Sequence, residues 1–325
     1  MNLRTLGKTG KKISEIGFGA WGIGKSWWGT TDDVESLRAL RRAIDLGITF
    51  FDTAYVYGDG HSEQLISRAF KESGAPHFIA TKCPPLNMQW PADPRTPPEE
   101  AFPENWIVQC TERSLKNLGL ESLDLQQFHV WTDAWMSRDE WKNAIVKLKK
   151  QGKIRGFGVS INDLDPDSAL QLVDSGLVDT VQVIYNIFEQ APETTLFPLC
   201  RKKDVGVIVR VPLDEGGLSG TLTPRTRFED DDFRARYFAD GRLEETCAHV
   251  EKIKPLLGPY APTLPELALK FILAHPAVST VIPGMRKVKN VEANARLSGG
   301  TPLPERVLQE LKKHAWIRAR QPLDD

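Results

Sequence analysis

Hydrophobic and polar positions alternate along this chain in two periods, short apolar runs rich in Val, Ile and Phe followed by amphipathic stretches of helical period, almost to the C-terminus. That rhythm is the signature of βα units feeding a parallel sheet. The apolar runs fall at 16–20, 48–52, 77–82, 124–129, 154–159, 179–184, 206–211 and 278–282. Eight is the number that closes a barrel, so the pattern predicts an α/β fold of the (β/α)8 TIM-barrel type. A β-hairpin turning at Gly7-Lys8-Thr9-Gly10 precedes it.

The helical stretches carry their own punctuation. Thr31-Asp32-Asp33 caps a helix that reaches Gly47, and Asp165-Pro166 opens one that ends at Gly176. Two connections are long, the proline-rich 83–104 and the charge-dense 212–240. Both follow strands, which puts them on the catalytic face of a barrel as loops of functional length. No internal repeat beyond the βα alternation and no linker divides the chain, so residues 1–325 are expected to form one barrel domain.

Composition narrows the partners. Lys and Arg total 42 against 43 Asp and Glu, and a net charge of −1 provides no basic field for nucleic acid or an anionic membrane. Cys83, Cys110, Cys200 and Cys247 lie far apart, with neither a zinc spacing nor a disulfide framework. Met1–Lys8 lacks the apolar stretch of a secretion signal, and no uncharged apolar run has bilayer length. The expectation is a cytoplasmic protein without a metal, acting on small molecules, its oligomeric state not legible.

Near the N-terminus, Gly17-Phe-Gly19-Ala-Trp-Gly22 matches a dinucleotide fingerprint, and Gly19 to Ser26 matches a phosphate-binding loop. Both motifs need a helix to begin at once, because helix N–H groups face the phosphates. Here Trp27-Trp28-Gly29 follows and the helix signal waits until Thr31-Asp32, so the segment is read as a glycine-rich loop after the first barrel strand.

Four polar residues fall at or just beyond the C-terminal ends of three successive barrel strands: Asp52, Tyr57 in the loop that follows it, Lys82 and His129. Adjacent strands lie ~4.8 Å apart, so the four are expected to converge within about 10 Å. A phenol donates its proton poorly at neutral pH, and a neighbouring ammonium stabilises the phenolate and lowers that barrier. Asp52 is then expected to hold Lys82 charged, with His129 orienting a carbonyl oxygen beside Tyr57. Nothing in the set is a nucleophile or a metal cage. The attacking group must come from a cofactor, and hydride from a reduced nicotinamide suits the chemistry. Trp21, Trp28, Trp90 and Trp131 lie in loops of the same face. Trp21 and Trp131, which flank the motif residues, are expected to wall the substrate site together with Tyr57 and His129. Cys83 is read as a buried free thiol.

With these residues in order, the sequence resembles the aldo-keto reductases: Leu6-Gly7-Lys8-Thr9-Gly10, Gly17-Phe-Gly-Ala-Trp21, Phe51-Asp52-Thr-Ala-Tyr-Val-Tyr57-Gly58, Thr81-Lys82, His129 and Ile282-Pro283-Gly284 span nearly the whole chain. The resemblance implies NADPH/NADP+ as cofactor, reduction of aldehyde or ketone carbonyls to alcohols, and Asp52, Tyr57, Lys82 and His129 as the catalytic tetrad. It places Gly19, Trp21 and Asp52 beside the cofactor, the nicotinamide carboxamide near Ser160 and Gln182, and the pyrophosphate over Pro212, Leu213, Gly216 and Leu218. The adenosine end and its 2′-phosphate fall at Gly284, Arg286, Asn290 and Asn294, and no acidic residue stands in the short Pro283–Lys287 stretch where the two cations meet the helix start. The chain departs from the family pattern at Arg210, where an aromatic ring often stacks on the nicotinamide, at Ile161 and at Ala293. The alternative of another class is a regulatory barrel subunit that binds nucleotide without significant turnover.

Overall fold

A computed structural model of the chain describes residues 1–25, 31–163 and 165–316. The opening hairpin pairs β1 (Leu3–Thr5) with β2 (Lys12–Ser14), and Gly10 closes its turn at φ 67°. Its Leu6 and Ile13 join Phe50, Phe78, Leu125 and Ile208 in an inner apolar cluster. Because Phe50 and Phe78 open their strands, the hairpin plugs the N-terminal end of the sheet.

Eight strands follow in chain order: β3 (Phe18–Gly19), β4 (Phe50–Asp52), β5 (Phe78–Cys83), β6 (Leu123–Phe128), β7 (Ile154–Ser160), β8 (Thr180–Ile184), β9 (Gly206–Arg210) and β10 (Val278–Val281). They pair in parallel in strict sequence, and bridges from Ile16 to Val281 and Gly19 to Gly284 join the first strand to the last. The fold is therefore a (β/α)8 barrel. Closure explains Gly19: a Cβ there would sit 2.6 Å from the Ile282 carbonyl oxygen, so a side chain would hold the seam open.

The helices are α1 (Asp33–Asp45), α2 (His61–Ser73), α3 (Pro98–Ala101), α4 (Glu104–Leu118), α5 (Glu140–Lys150), α6 (Leu170–Ser175), α7 (Leu196–Lys203), α8 (Phe233–Tyr237), α9 (Arg242–Ile253), α10 (Leu264–Ala274), α11 (Val288–Ala295) and α12 (Glu305–Lys312). The punctuation reads correctly. Asp32 caps α1 by accepting from the Val34 N–H at 2.8 Å, and Gly176 ends α6 in a left-handed conformation at φ 77°. The Asp165-Pro166 start first makes a 3₁₀ turn, Pro166–Ala169, before α6. Both long connections hold structure of their own, α3 in one and α8 in the other. The larger core lies between the sheet and the helices, where Trp131, Trp135 and Trp141 interlock with Phe128 and Phe157. Among the described residues no helix is long and apolar enough to cross a membrane.

Candidate active site

At the C-terminal end of the barrel, β4, β5 and β6 bring four side chains together. Lys82, wholly buried, donates to Asp52 Oδ1 at 2.5 Å, to the Thr53 carbonyl at 3.0 Å and to Tyr57 Oη at 3.3 Å. The Tyr57 and His129 rings meet edge to face with centroids 5.8 Å apart. Parallel registry puts Asp52 opposite Ala80 and Lys82 opposite Gln127, so successive strands deliver these ends to one level. Two glycines let the Tyr57 loop close down on the loop after β3. A Cβ on Gly24 would lie 2.8 Å from the Tyr57 backbone, and one on Gly58, at φ 67°, would collide with the Gly24 carbonyl. The glycine-rich motif thus serves close approach. Lys25, eight residues ahead of α1, bonds Asp33 Oδ2 at 3.0 Å; Ser26, the last residue of the phosphate-loop pattern, and Trp28 lie outside the described residues.

Burial dominates the electrostatics. It pushes the Tyr57 phenol above its ordinary value, and the Lys82 ammonium pulls in the other direction without cancelling it. The expectation of a net lowered phenol is corrected: the Lys82 ammonium does lower it, but desolvation outweighs the cation. Burial alone would lower Lys82, but the facing Asp52 carboxylate and Tyr57 raise it, so it stays protonated. His129 is held well below the usual imidazole value by burial, then by Lys82 and Arg210. It is therefore neutral, and its buried Nδ1 has no hydrogen-bond partner among the described residues.

The structure brings most of the expected residues to this mouth. Trp21 stacks on Tyr57 at 6.1 Å and also meets Phe233 of α8 at 5.4 Å. Ser160, at the end of β7, is the register partner of Gln182, in the middle of β8. Arg210, at the end of β9, donates to the Ile161 carbonyl at 2.8 Å and pairs with Asp163 at 2.5 Å. After Pro212 and Leu213 the backbone enters positive φ at Asp214, Glu215 and Gly216, at 52°, 51° and 104°. For non-glycine residues that conformation is strained, and strain of this kind collects where backbone meets a ligand.

One expected substrate wall is corrected. Trp131 is fully buried, its ring edge-on to Trp135 and Trp141, because β6 turns it into the layer between sheet and helices; it offers a substrate no surface. The Leu218 side chain is wholly buried in that core, so only its backbone is left for the pyrophosphate contact expected of this loop. Trp90 stands where Trp131 was expected, its ring edge-on to His129 at 5.8 Å. Asn162 holds that loop in place, donating to the Ala92 carbonyl and accepting from its N–H. Sequence reasoning also missed Gln127, which donates to Asp52 Oδ2 at 3.3 Å.

The donors fit a nicotinamide dinucleotide, with one opposing group. Gln182 commits its amide nitrogen to Asp52, which leaves its carbonyl oxygen for a carboxamide N–H. Gly284 has nothing within 4 Å of where a Cβ would stand, so a ligand has room there. Arg286 runs beneath Gly22, half-buried and close enough to Arg234 that the two cations repel. Asn290 is half-buried and Asn294 buried on α11. The opposing group is Glu35 of α1, which accepts from the Val288 N–H at 3.2 Å and sets a carboxylate at the start of α11. It was invisible in the local sequence, since it arrives from another helix.

A barrel with a buried Lys–Asp–Tyr set and a histidine at its C-terminal mouth fits an oxidoreductase. A family model described as the Aldo/keto reductase family matches residues 15–315, and the chain belongs to that family, whose members use nicotinamide cofactors. It is similar to the aldo-keto reductase YhdN of Bacillus subtilis, at 31% identity over 93% of this chain and 90% of that one. The NADH-specific methylglyoxal reductase of Escherichia coli is 28% identical over 89% of this chain and 91% of its own. In three dimensions the chain resembles the glycerol dehydrogenase AKR11B4 from Gluconobacter oxydans, with a TM-score of 0.78 and 26% identity over 100% and 99% of the two chains.

Proposed function

We propose that this chain reduces aldehyde or ketone carbonyls to alcohols with NADPH, Tyr57 giving the proton. The observation that carries the reading is the buried contact set in which Lys82 touches both Asp52 and Tyr57 while the neutral His129 stands against the Tyr57 ring. A bound reduced nicotinamide supplies hydride to the carbonyl carbon. Lys82 steadies the phenolate left when the Tyr57 proton moves to the carbonyl oxygen. Neutral His129 offers a single N–H to that oxygen, which orients the substrate without competing for the proton. Trp21 and Trp90 form apolar walls that keep water from the reacting carbon.

Choice of NADPH rests on Arg286 and Lys287 at the start of α11. A 2′-phosphate carries nearly two negative charges, and a guanidinium meets it with a forked pair of hydrogen bonds. Glu35 and the NADH-specific relative favour the other cofactor, so the preference is the part of the reading that a titration decides. The expected result is tighter binding of NADPH than of NADH, and Arg286→Ala weakening NADPH alone by about ten- to a hundredfold, since a charge-assisted bond is worth roughly 1.5–3 kcal/mol. An equal loss for both cofactors, read by tryptophan fluorescence, removes Arg286 from phosphate recognition. Oxidation of NADPH dependent on an aromatic aldehyde separates the reductase from a regulatory barrel that binds without turnover.

A further inference from the structure

Asp52 has two carboxylate oxygens, and Lys82 occupies one. The other, Oδ2, accepts from Gln182 Nε2 at 2.7 Å and from Gln127 Nε2 at 3.3 Å, while Gln182 Nε2 lies 3.3 Å from Gln127 Oε1. A carboxylate only accepts, so both amides are fixed in orientation: each must turn its nitrogen to Asp52, and Gln182 has a second N–H left for Gln127. All three side chains are buried, at 2%, 0% and 1% exposure for Asp52, Gln127 and Gln182. The ring spans strands that are not neighbours, because β7 runs between β6 and β8. Gly158 on β7 is the register partner of Gln127 and puts no side chain between the two strands. A Cβ on Gly158 would stand 2.2 Å from Thr180 Oγ1, 3.0 Å from the Thr180 carbonyl oxygen and 3.3 Å from Gln127 Cγ, so a side chain there would displace Thr180 and press on Gln127.

We infer that Gln127 and Gln182 are a positioning pair for the reaction proposed above. Together they hold Asp52 so that its other oxygen keeps Lys82 against Tyr57, and they turn the Gln182 carbonyl oxygen toward the carboxamide of the bound cofactor. Cofactor recognition and the proton donor then share one hydrogen-bonded ring, and Gln127, which lies behind Gln182, acts on both from outside the contact surface.

The test uses the full chain and two variants. Gln127→Met keeps the volume and removes the amide, so Gln182 loses its brace: the expected result is an NADPH dissociation constant several-fold weaker and a single-turnover rate about tenfold slower, with the aldehyde KM unchanged. Gln127→Glu places a second carboxyl beside Asp52. Two such groups share a proton at low pH and repel at high pH, so its rate profile gains an ionisation absent from the wild type and falls above it. Variants with wild-type cofactor affinity and wild-type pH profiles, even at a lowered Tm, reduce Gln127 to packing and overturn the inference. Failure of the carbonyl-reductase reading shows separately, as absence of aldehyde-dependent NADPH oxidation by the wild type, and the binding readout still tests the pair.

Discussion

Tyr57 depends on its neighbours because it is buried. Desolvation raises its phenol, and the counterweight is the Lys82 ammonium 3.3 Å from its oxygen. Lys82→Met removes that counterweight and strands the Asp52 carboxylate inside the barrel, so kcat is expected to fall ~10²-fold or more. Stability should fall as well, by roughly 3–5 kcal/mol, the cost of breaking a buried ion pair from one side. Urea titration and steady-state kinetics read the two effects. Trp131→Ala makes the contrasting case: its ring fills the outer core, so the expected loss is about 3–5 kcal/mol of stability with the aldehyde KM unchanged in the folded fraction. A large KM increase would return Trp131 to the substrate site. These residues also mark what the sequence discloses. Asp52, Lys82 and His129 were legible because strand ends in a barrel share one face, whereas Gln127 was not, because one polar residue within an apolar run does not announce which partner it meets. Trp131 misled for the complementary reason. Nearness to His129 in the chain says nothing about which side of the sheet a ring takes.

Loops set the accessibility of the site. The 212–240 connection was legible as a long loop, but its docking was not: Phe233 on Trp21 joins positions far apart in the chain, whereas Asp232 capping α8 at the Arg234 N–H and the Arg242 guanidinium 3.9 Å over the Tyr237 ring are local contacts. The Phe233 contact anchors α8 to the mouth, while 221–231 stays mostly exposed. Limited proteolysis is expected to cut within 221–231, and bound NADPH to slow the cut if the loop orders over the cofactor. Equal cleavage with and without NADPH rejects that role. The same connection carries a pH dependence. Burial, with Asp163 and Asp214 nearby, raises the Glu215 carboxyl to about 8, so it is neutral at pH 7 and ionises as pH rises through that value. Against the diphosphate proposed to lie over 212–218, the new negative charge weakens cofactor binding above pH 8. The sign for folding follows the same group: the unfolded carboxylate ionises near 4.5, so the folded state loses stability as pH rises from there to about 8. Glu215→Gln should flatten both dependences, as isothermal titration with NADPH and melting curves across pH would show.

Barrel topology was the most legible property of the chain, since eight apolar runs separated by helical stretches leave few alternatives. The limits of the strands were less so. The first run, 16–20, contracts to Phe18–Gly19, because closure there is shared with isolated bridges at Ile16 and Gly19. Long-range partners, such as Glu35 at the start of α11 or the Gln127–Gln182 contact across β7, exist only once the sheet has closed. The family is established, and within it the account stands on one proton. Single-turnover oxidation of bound NADPH by an aromatic aldehyde, compared between the wild type and Tyr57→Phe, tests it most directly. The account predicts a rate at least ~10²-fold slower in the variant with NADPH affinity nearly unchanged; full turnover by Tyr57→Phe would contradict it.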